Sequence, residues 1–223
     1  MRRILVLTFL FILFSCANHK NTIISNNTPI KNACLVGDSG TGKEQAYKVA
    51  SLINKSNCQL LFILGDVIYN RGIKNIADPQ VKSKLIAPYK EVLKNTPIYI
   101  ILGNHDYKGN TEAWLKINQL NSNLKFPHYY YVLKDQKTCL IALDTNDHFY
   151  EQYQWKEDLS KLNCKNKIYL AHHPLISSGK HGNANFINSL FLKQMLKGAN
   201  LFVAVHDHHL SDEGEIDENP HQL

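Results

Sequence analysis

The 223-residue sequence contains no cluster of Lys or Arg, no CxxC pair, no internal repeat and no apolar run long enough for a bilayer-spanning helix. Each absence excludes something. The 25 Lys and Arg against 19 Asp and Glu give a formal net charge of +6. Without Arg2 and Arg3 the balance is 23 against 19, or +4, and it is evenly spread, so nucleic acid is not an expected partner. Five cysteines without a CxxC argue against a zinc–thiolate site. The longest apolar run, residues 4–14, falls well short of the roughly 20 residues a spanning helix needs. Gly37 to Lys43 fits the phosphate-cradling GxxxxGK, but Glu44 stands where the Mg²⁺-binding Ser or Thr belongs. The Gly-Asp-Ser-Gly within it has no accompanying triad order for serine nucleophile chemistry.

What is present begins with an unusual N-terminus. Met1-Arg2-Arg3 leads into an apolar stretch interrupted by Thr8 and ending Leu13-Phe14-Ser15-Cys16, which reads as an export signal. It is similar to a bacterial lipoprotein signal, in which the cysteine is lipidated after cleavage. Phe14 is bulkier than that pattern usually carries, so plain secretion and an uncleaved anchor remain alternatives. The expectation is an exported, periplasmic or cell-surface protein anchored through a lipid on Cys16, with residues 1–16 as signal and the Asn-, Ser- and Thr-rich residues 17–32 as a flexible tether. That leaves Cys34, Cys58, Cys139 and Cys164, an even number suited to an oxidising compartment. Three pairings are open, and Cys34 and Cys139 could equally be small core residues.

From residue 33 onward the chain reads as one domain. Strands are predicted at 33–36, 60–64, 98–102, 167–171 and 201–205, with a hairpin over 128–134 and 138–143. Helices are predicted at 44–56, 79–95 (broken or kinked at Pro88), 111–118 with Thr111 as a possible cap, 152–162 and 185–197. Alternating strands and helices imply a largely parallel or mixed sheet with helices outside.

Five of these strands end in metal-donor residue types: Asp38; Asp66 and Tyr69; Asn104 and His105; His172 and His173; His206 and His208. An aspartate after a strand-end glycine is often a turn former, and a lone histidine is more often a satisfied polar residue than a ligand. Five strand ends in succession are a different matter, because α/β sheets gather ligands beyond the carboxyl ends of their strands. Oxygen donors mixed with imidazoles suit Fe, Mn or Zn, and seven donors are enough for two ions sharing a carboxylate.

Gly37-Asp38-Ser39-Gly40, Gly65-Asp66-Val67-Ile68-Tyr69, Gly103-Asn104-His105-Asp106, Ala171-His172-His173-Pro174 and Val205-His206-Asp207-His208 resemble, in order, the five signature blocks of metallophosphoesterases. Tyr69 and the compact length are similar to the small, tartrate-resistant type of purple acid phosphatase. The resemblance implies an α/β (α+β) fold, a β-sandwich of two mixed sheets flanked by helices over residues 33–210. It implies Asp38, Tyr69 and His208 on Fe³⁺; Asn104, His172 and His206 on Fe²⁺, Zn²⁺ or Mn²⁺; and Asp66 bridging them. A phenol of pKa about 10 becomes a good ligand when a highly charged ion strips its proton, which agrees with that assignment. The implied activity is hydrolysis of small phosphate monoesters by metal-bound hydroxide, with His105 and His181 as candidate proton donors to the leaving group. A phosphodiesterase or nucleotide hydrolase on the same core, and a catalytically weak lipid-tethered binding protein, are the alternatives. No protein partner is expected.

Two departures carry expectations of their own. Val205 stands where the family usually has Gly, and a β-branched residue resists positive φ, so the loop carrying His206 and His208 is expected to be displaced. Residues 211–223 read as an acidic, apolar-poor tail that forms no strand, leaving the sandwich without the family's further C-terminal strands.

Overall fold

The computed structural model describes residues 22–215 and 220–223. The expected export signal, its Cys16 and the first residues of the expected tether lie outside the described residues. The strands are β1 (Ile23–Ser25), β2 (Ala33–Val36), β3 (Leu60–Leu64), β4 (Ile98–Ile101), β5 (Leu124–Lys125), β6 (Tyr131–Lys134), β7 (Thr138–Ala142), β8 (Asn166–Leu170), β9 (Leu201–Val203), β10 (Gly214–Glu215) and β11 (His221–Gln222). The α-helices are α1 (Glu44–Lys55), α2 (Phe149–Ser160) and α3 (Phe186–Met195).

Two sheets face each other. One runs β2-β3-β4-β5 and is parallel throughout; the other runs β1-β6-β7-β8-β9-β11-β10 and is mixed. The sandwich implied by the sequence is therefore present, except that the smaller sheet is wholly parallel. The period-2 alternation of each strand assigns its side chains to layers. On β3, Leu60, Phe62 and Leu64 point between the sheets, where they meet Tyr131, Leu133, Leu140 and Leu170. Leu61 and Ile63 point the other way, against Ala50 and Ile53 of α1. On β7, Leu140 and Ala142 face inward while Cys139 and Ile141 meet Trp155 of α2 and Leu192 of α3. A strand covered on both faces has no polar alternation, which is why β3 is apolar from end to end. Each large side chain buried between the sheets contributes about 2 kcal/mol, and this layer fixes the two sheets relative to each other. The Tyr131 hydroxyl adds a cross-sheet bond to the Ile100 carbonyl at 2.9 Å.

Several expectations are corrected. The predicted helix over 79–95 is a turn of π-helix at Val81–Ile86 followed by turns and a short 3-10 helix at Val92–Lys94. Pro88 has no N–H and crowds the carbonyl four residues back, and the Ala87 N–H reaches the Lys82 carbonyl five residues back instead. The predicted helix at 111–118 is a 3-10 helix, Thr111–Gln119, without a side-chain cap. Ile23–Ser25, inside the stretch read as a tether, pairs in parallel with β6. The tail read as strandless supplies β10 and β11, and β11 lies parallel to β9. The four cysteines described pair as Cys34–Cys58 and Cys139–Cys164.

Candidate metal centre

Asp38, Asp66, Asn104, His172 and His206 each follow their strand, β2, β3, β4, β8 and β9 respectively, by two or three residues. The first three strands belong to the parallel sheet and the last two to the mixed sheet. The site is therefore built across the seam between the sheets. Bonds between the loops hold them together: Asp38 N–H to the Gly65 carbonyl, Gly40 N–H to the Asp66 carbonyl, Tyr69 N–H to the Gly40 carbonyl and Val205 N–H to the His172 carbonyl, all at 3.0–3.2 Å.

The backbone is strained at these residues. Asp38, Asp66, His206 and His208 have φ of 54°, 50°, 82° and 59°, a left-handed region that costs L-residues about 1–2 kcal/mol each. Such outliers persist where the surroundings fix them, and they gather at functional sites. Val205 does not share the strain: His206 and His208 take the positive φ on either side of Asp207. Gly37 makes room for the valine side chain, since a Cβ there would lie 2.4 Å from Val205 Cγ1. The loop is thus seated against Gly37, with His206 and His208 each within reach of other donors.

Two donor sets are visible, with Asp66 between them. The Tyr69 hydroxyl lies 3.0 Å from Asp38 Oδ1 and 3.1 Å from His208 Nε2, and His208 Nε2 is 3.4 Å from the same Oδ1. His172 Nε2 lies 3.0 Å from Asn104 Oδ1 and 3.1 Å from His206 Nδ1. Asp66 sits between these sets, its Oδ1 3.5 Å from His172 Nε2. Gly103 permits this crowding, because a Cβ at that position would lie 2.2 Å from Asp66 Oδ1. The His172 ring is oriented by its other nitrogen, Nδ1, which lies 3.0 Å from the Leu64 carbonyl. That arrangement leaves Nε2 free to ligate.

The electrostatics fit a cation. Asp66 is 1 % exposed. Among the described residues, the cationic side chains within ion-pairing distance of Asp38 and Asp66 are imidazoles alone: His208, His172 and His105. Buried carboxylates without Lys or Arg partners belong with metal ions. Burial, and then Asp38 and Asp66, push the Tyr69 phenol above its ordinary value, so it would not ionise near neutrality without a bound cation. Burial, then His172 and His181, push His206 down to about 4, keeping its nitrogens available as neutral donors. The donor set therefore suits a metal pair.

His105 and His181 flank this cluster. His105 Nδ1 is 2.8 Å from the Asn70 carbonyl, its Nε2 is 3.9 Å from Asp66 Oδ2, and its ring lies 4.6 Å from that of Tyr69. The His181 ring is 4.5 Å from that of His206, and its backbone N–H donates to Asp207 Oδ1.

Four further residues matter here: His173, which the sequence named beside His172 without a role, and three that it did not single out. His173, packed 4.6 Å from the His206 ring, has Nδ1 2.8 Å from Thr145 Oγ1, and burial pushes it down to about 3. Asp207 holds the Ser177–His181 loop through Ser177 Oγ and the His181 N–H. Glu213, in the tail, accepts from the N–H and hydroxyl of Ser178, each at 2.9 Å. Asp106 is fully buried and accepts the N–H groups of Val67, Ile68 and Gly103 at 2.9–3.0 Å. Asp106 and Asp207 do lie inside the quoted blocks, which is the only signal that could have marked them.

The chain matches the calcineurin-like phosphoesterase family over residues 32–210. It is 26% identical over 209 residues to purple acid phosphatase 4 of Arabidopsis thaliana, covering 78% of this chain and 61% of that protein. It is 22% identical over 222 residues to tartrate-resistant acid phosphatase type 5 of Oryctolagus cuniculus, covering 82% and 68%. The chain thus spans between three-fifths and seven-tenths of these relatives' lengths. Among solved structures, GAP50, described as the anchor in the inner membrane complex of Plasmodium, superposes with a TM-score of 0.69 at 22% identity over 86% of this chain and 70% of that one. A dimetal phosphatase from Danio rerio superposes with a TM-score of 0.60 at 12% identity, covering 87% of each. These structural likenesses are likenesses of fold.

Proposed function

The chain belongs to the calcineurin-like phosphoesterase family, and from that premise we propose that it is a binuclear-metal phosphatase of the acid phosphatase type, hydrolysing phosphate monoesters. The observation that carries this reading is the convergence of seven donors from five strand ends on one seam, with a tyrosine hydroxyl among them. Asp38, Tyr69 and His208 would hold one ion and Asn104, His172 and His206 the other, with Asp66 between them. The two ions, when bound, would supply Lewis acidity and neutralise charge on the phosphoryl oxygens. His181 and His105 stand on either side of the donors, where an imidazole can hand a proton to the leaving alkoxide. Tyr69 favours Fe³⁺ at its ion, because its phenol is held above its ordinary range and needs a highly charged partner to ionise.

The direct test is metal analysis together with turnover of p-nitrophenyl phosphate. About two metal ions per chain and turnover on the acidic side are expected. A folded, metal-replete protein without turnover from pH 4 to 8 would overturn the enzyme reading. Fe³⁺ on Tyr69 should also give a visible charge-transfer band that Tyr69→Phe abolishes; an active but colourless wild type would remove the Fe³⁺–tyrosinate assignment alone.

A second reading, a membrane-tethered binding protein, draws support from the likeness to a structure described as an anchor and from the basic-apolar-Cys16 start of the chain. Export to an oxidising compartment, with a lipid on Cys16, belongs to both readings; the two disulfides support it.

A further inference from the structure

Beside the donor cluster lies a cavity of about 420 Å³. Its wall runs from Asn104 and His206, past His173 and His181, to Asn185 and Asn188 at the start of α3. Pro174 and Ala184 add to an apolar surface that about equals the polar one, and among the described residues no Asp, Glu, Lys or Arg lines it. The polar part of the wall is carboxamide and imidazole.

Asn188 is the informative residue. It is 6 % exposed and opens on the cavity. Its backbone N–H is taken by Asn185 Oδ1 at 3.0 Å, the cap of α3, which also commits the Asn185 side chain. Among the described residues, no protein group bonds to the Asn188 carboxamide. A carboxamide offers two N–H donors and an acceptor oxygen, and with no protein partner these open on the cavity. A ligand that closes the cavity without pairing them costs about 1–3 kcal/mol. The unspent hydrogen-bonding capacity points into the cavity, toward a ligand.

We propose that this cavity receives the alcohol half of the phosphate ester, and that it selects neutral, hydroxyl-bearing alcohols of the polyol or sugar class by pairing a hydroxyl with the Asn188 carboxamide. The proposal rests on the phosphatase reading above, in which the phosphoryl group sits at the metal donors and His181 faces the leaving oxygen. Among the described residues no Lys or Arg lines the cavity to pair a second anionic group on the ligand, which would exchange its hydration for an imidazole alone. A ligand lacking the hydroxyl leaves the carboxamide unpaired. Such a mismatch is worth about ten- to a hundredfold in affinity.

The experiment uses the full chain with its metals bound and three non-hydrolysable phosphonates, measured by calorimetry. 3,4-Dihydroxybutylphosphonate should bind at least tenfold tighter than butylphosphonate, and 3-carboxypropylphosphonate no tighter than butylphosphonate. Asn188→Leu should bring the dihydroxybutyl-to-butyl ratio close to one. Equal affinities in the wild type, or an unchanged ratio in the variant, would overturn the subsite. Should the variant not fold, the wild-type order of the three ligands decides by itself. Turnover of the matching phosphate esters is read separately. A preserved ratio without turnover sinks the phosphatase reading and leaves a polyol-selective site; turnover without a ratio does the reverse.

Discussion

Asp66→Asn is expected to lower kcat/KM on p-nitrophenyl phosphate by about 10³-fold and to reduce bound metal from about two ions per chain to one or none. The substitution is nearly isosteric, and the amide oxygen can still accept the His105 N–H that Asp66 Oδ1 now receives at 2.9 Å. What it removes is the negative charge between the two donor sets. A carboxylate shared by two cations holds both, and its loss releases the electrostatic stabilisation of the phosphoryl oxygens along with them, an effect of several kcal/mol. At about 1.4 kcal/mol per factor of ten, three orders of magnitude follow. Metal content by mass spectrometry and steady-state kinetics check this together. A variant retaining two ions and turning over within tenfold of the wild type would show that Asp66 does not bridge.

The features that sequence made legible share a physical origin. β3 and β4 are covered on both faces, so they appear as unbroken apolar runs, and each stops at a glycine that lets the chain turn into the seam. The donors stand at those stops, so locating the strands located Asp66 and Asn104 as well. α1 carries Ala46, Ala50 and Ile53 on one face at helical spacing and is found where its pattern places it.

What stayed hidden has equally particular causes. Two-residue strands carry no periodicity, so β10 and β11 could not be seen. Their place is fixed by tertiary bonds: the Gln222 carboxamide accepts the N–H groups of Leu175 and Ile176, and Asp212 pairs with His221 at 2.7 Å. β1 lies in a polar tract because it pairs at the sheet edge, where little burial is needed. The residues around Pro88 keep helical spacing of apolar residues, yet the missing N–H breaks the hydrogen-bond ladder locally. The break has a use, since Lys84 within it donates to the Tyr69 carbonyl and to Gln80 Oε1. Asn188 and Asp207 are invisible for another reason: their roles depend on which atoms remain unpaired or which loop lies opposite.

Asp106→Leu is expected to cost about 5 kcal/mol of unfolding free energy in the metal-free protein, measured by urea denaturation. Its two oxygens accept three buried backbone N–H groups, from the loop after β3 and the loop after β4. Leucine leaves all three orphaned at about 1–3 kcal/mol each, partly offset by no longer burying a carboxyl. That is a large share of the 5–15 kcal/mol typical of a whole domain. Asp106→Asn, which keeps one accepting oxygen, should lose less and fold. The pH dependence has a definite sign. Burial pushes the Asp106 carboxyl from 3.8 up to about 7, against the pull of its N–H donors. Between those values the folded state keeps a proton that the unfolded chain has released, so this group's contribution to stability falls as pH rises from about 4 to 7. The stability gap between wild type and Asp106→Asn should therefore narrow over that window. Because the two bonds from Val67 and Ile68 tie the Asp66 loop to the Asn104 loop, both variants should also bind metal more weakly. If metal-free Asp106→Leu unfolds at the wild-type urea concentration, the backbone bonds between the loops suffice without Asp106.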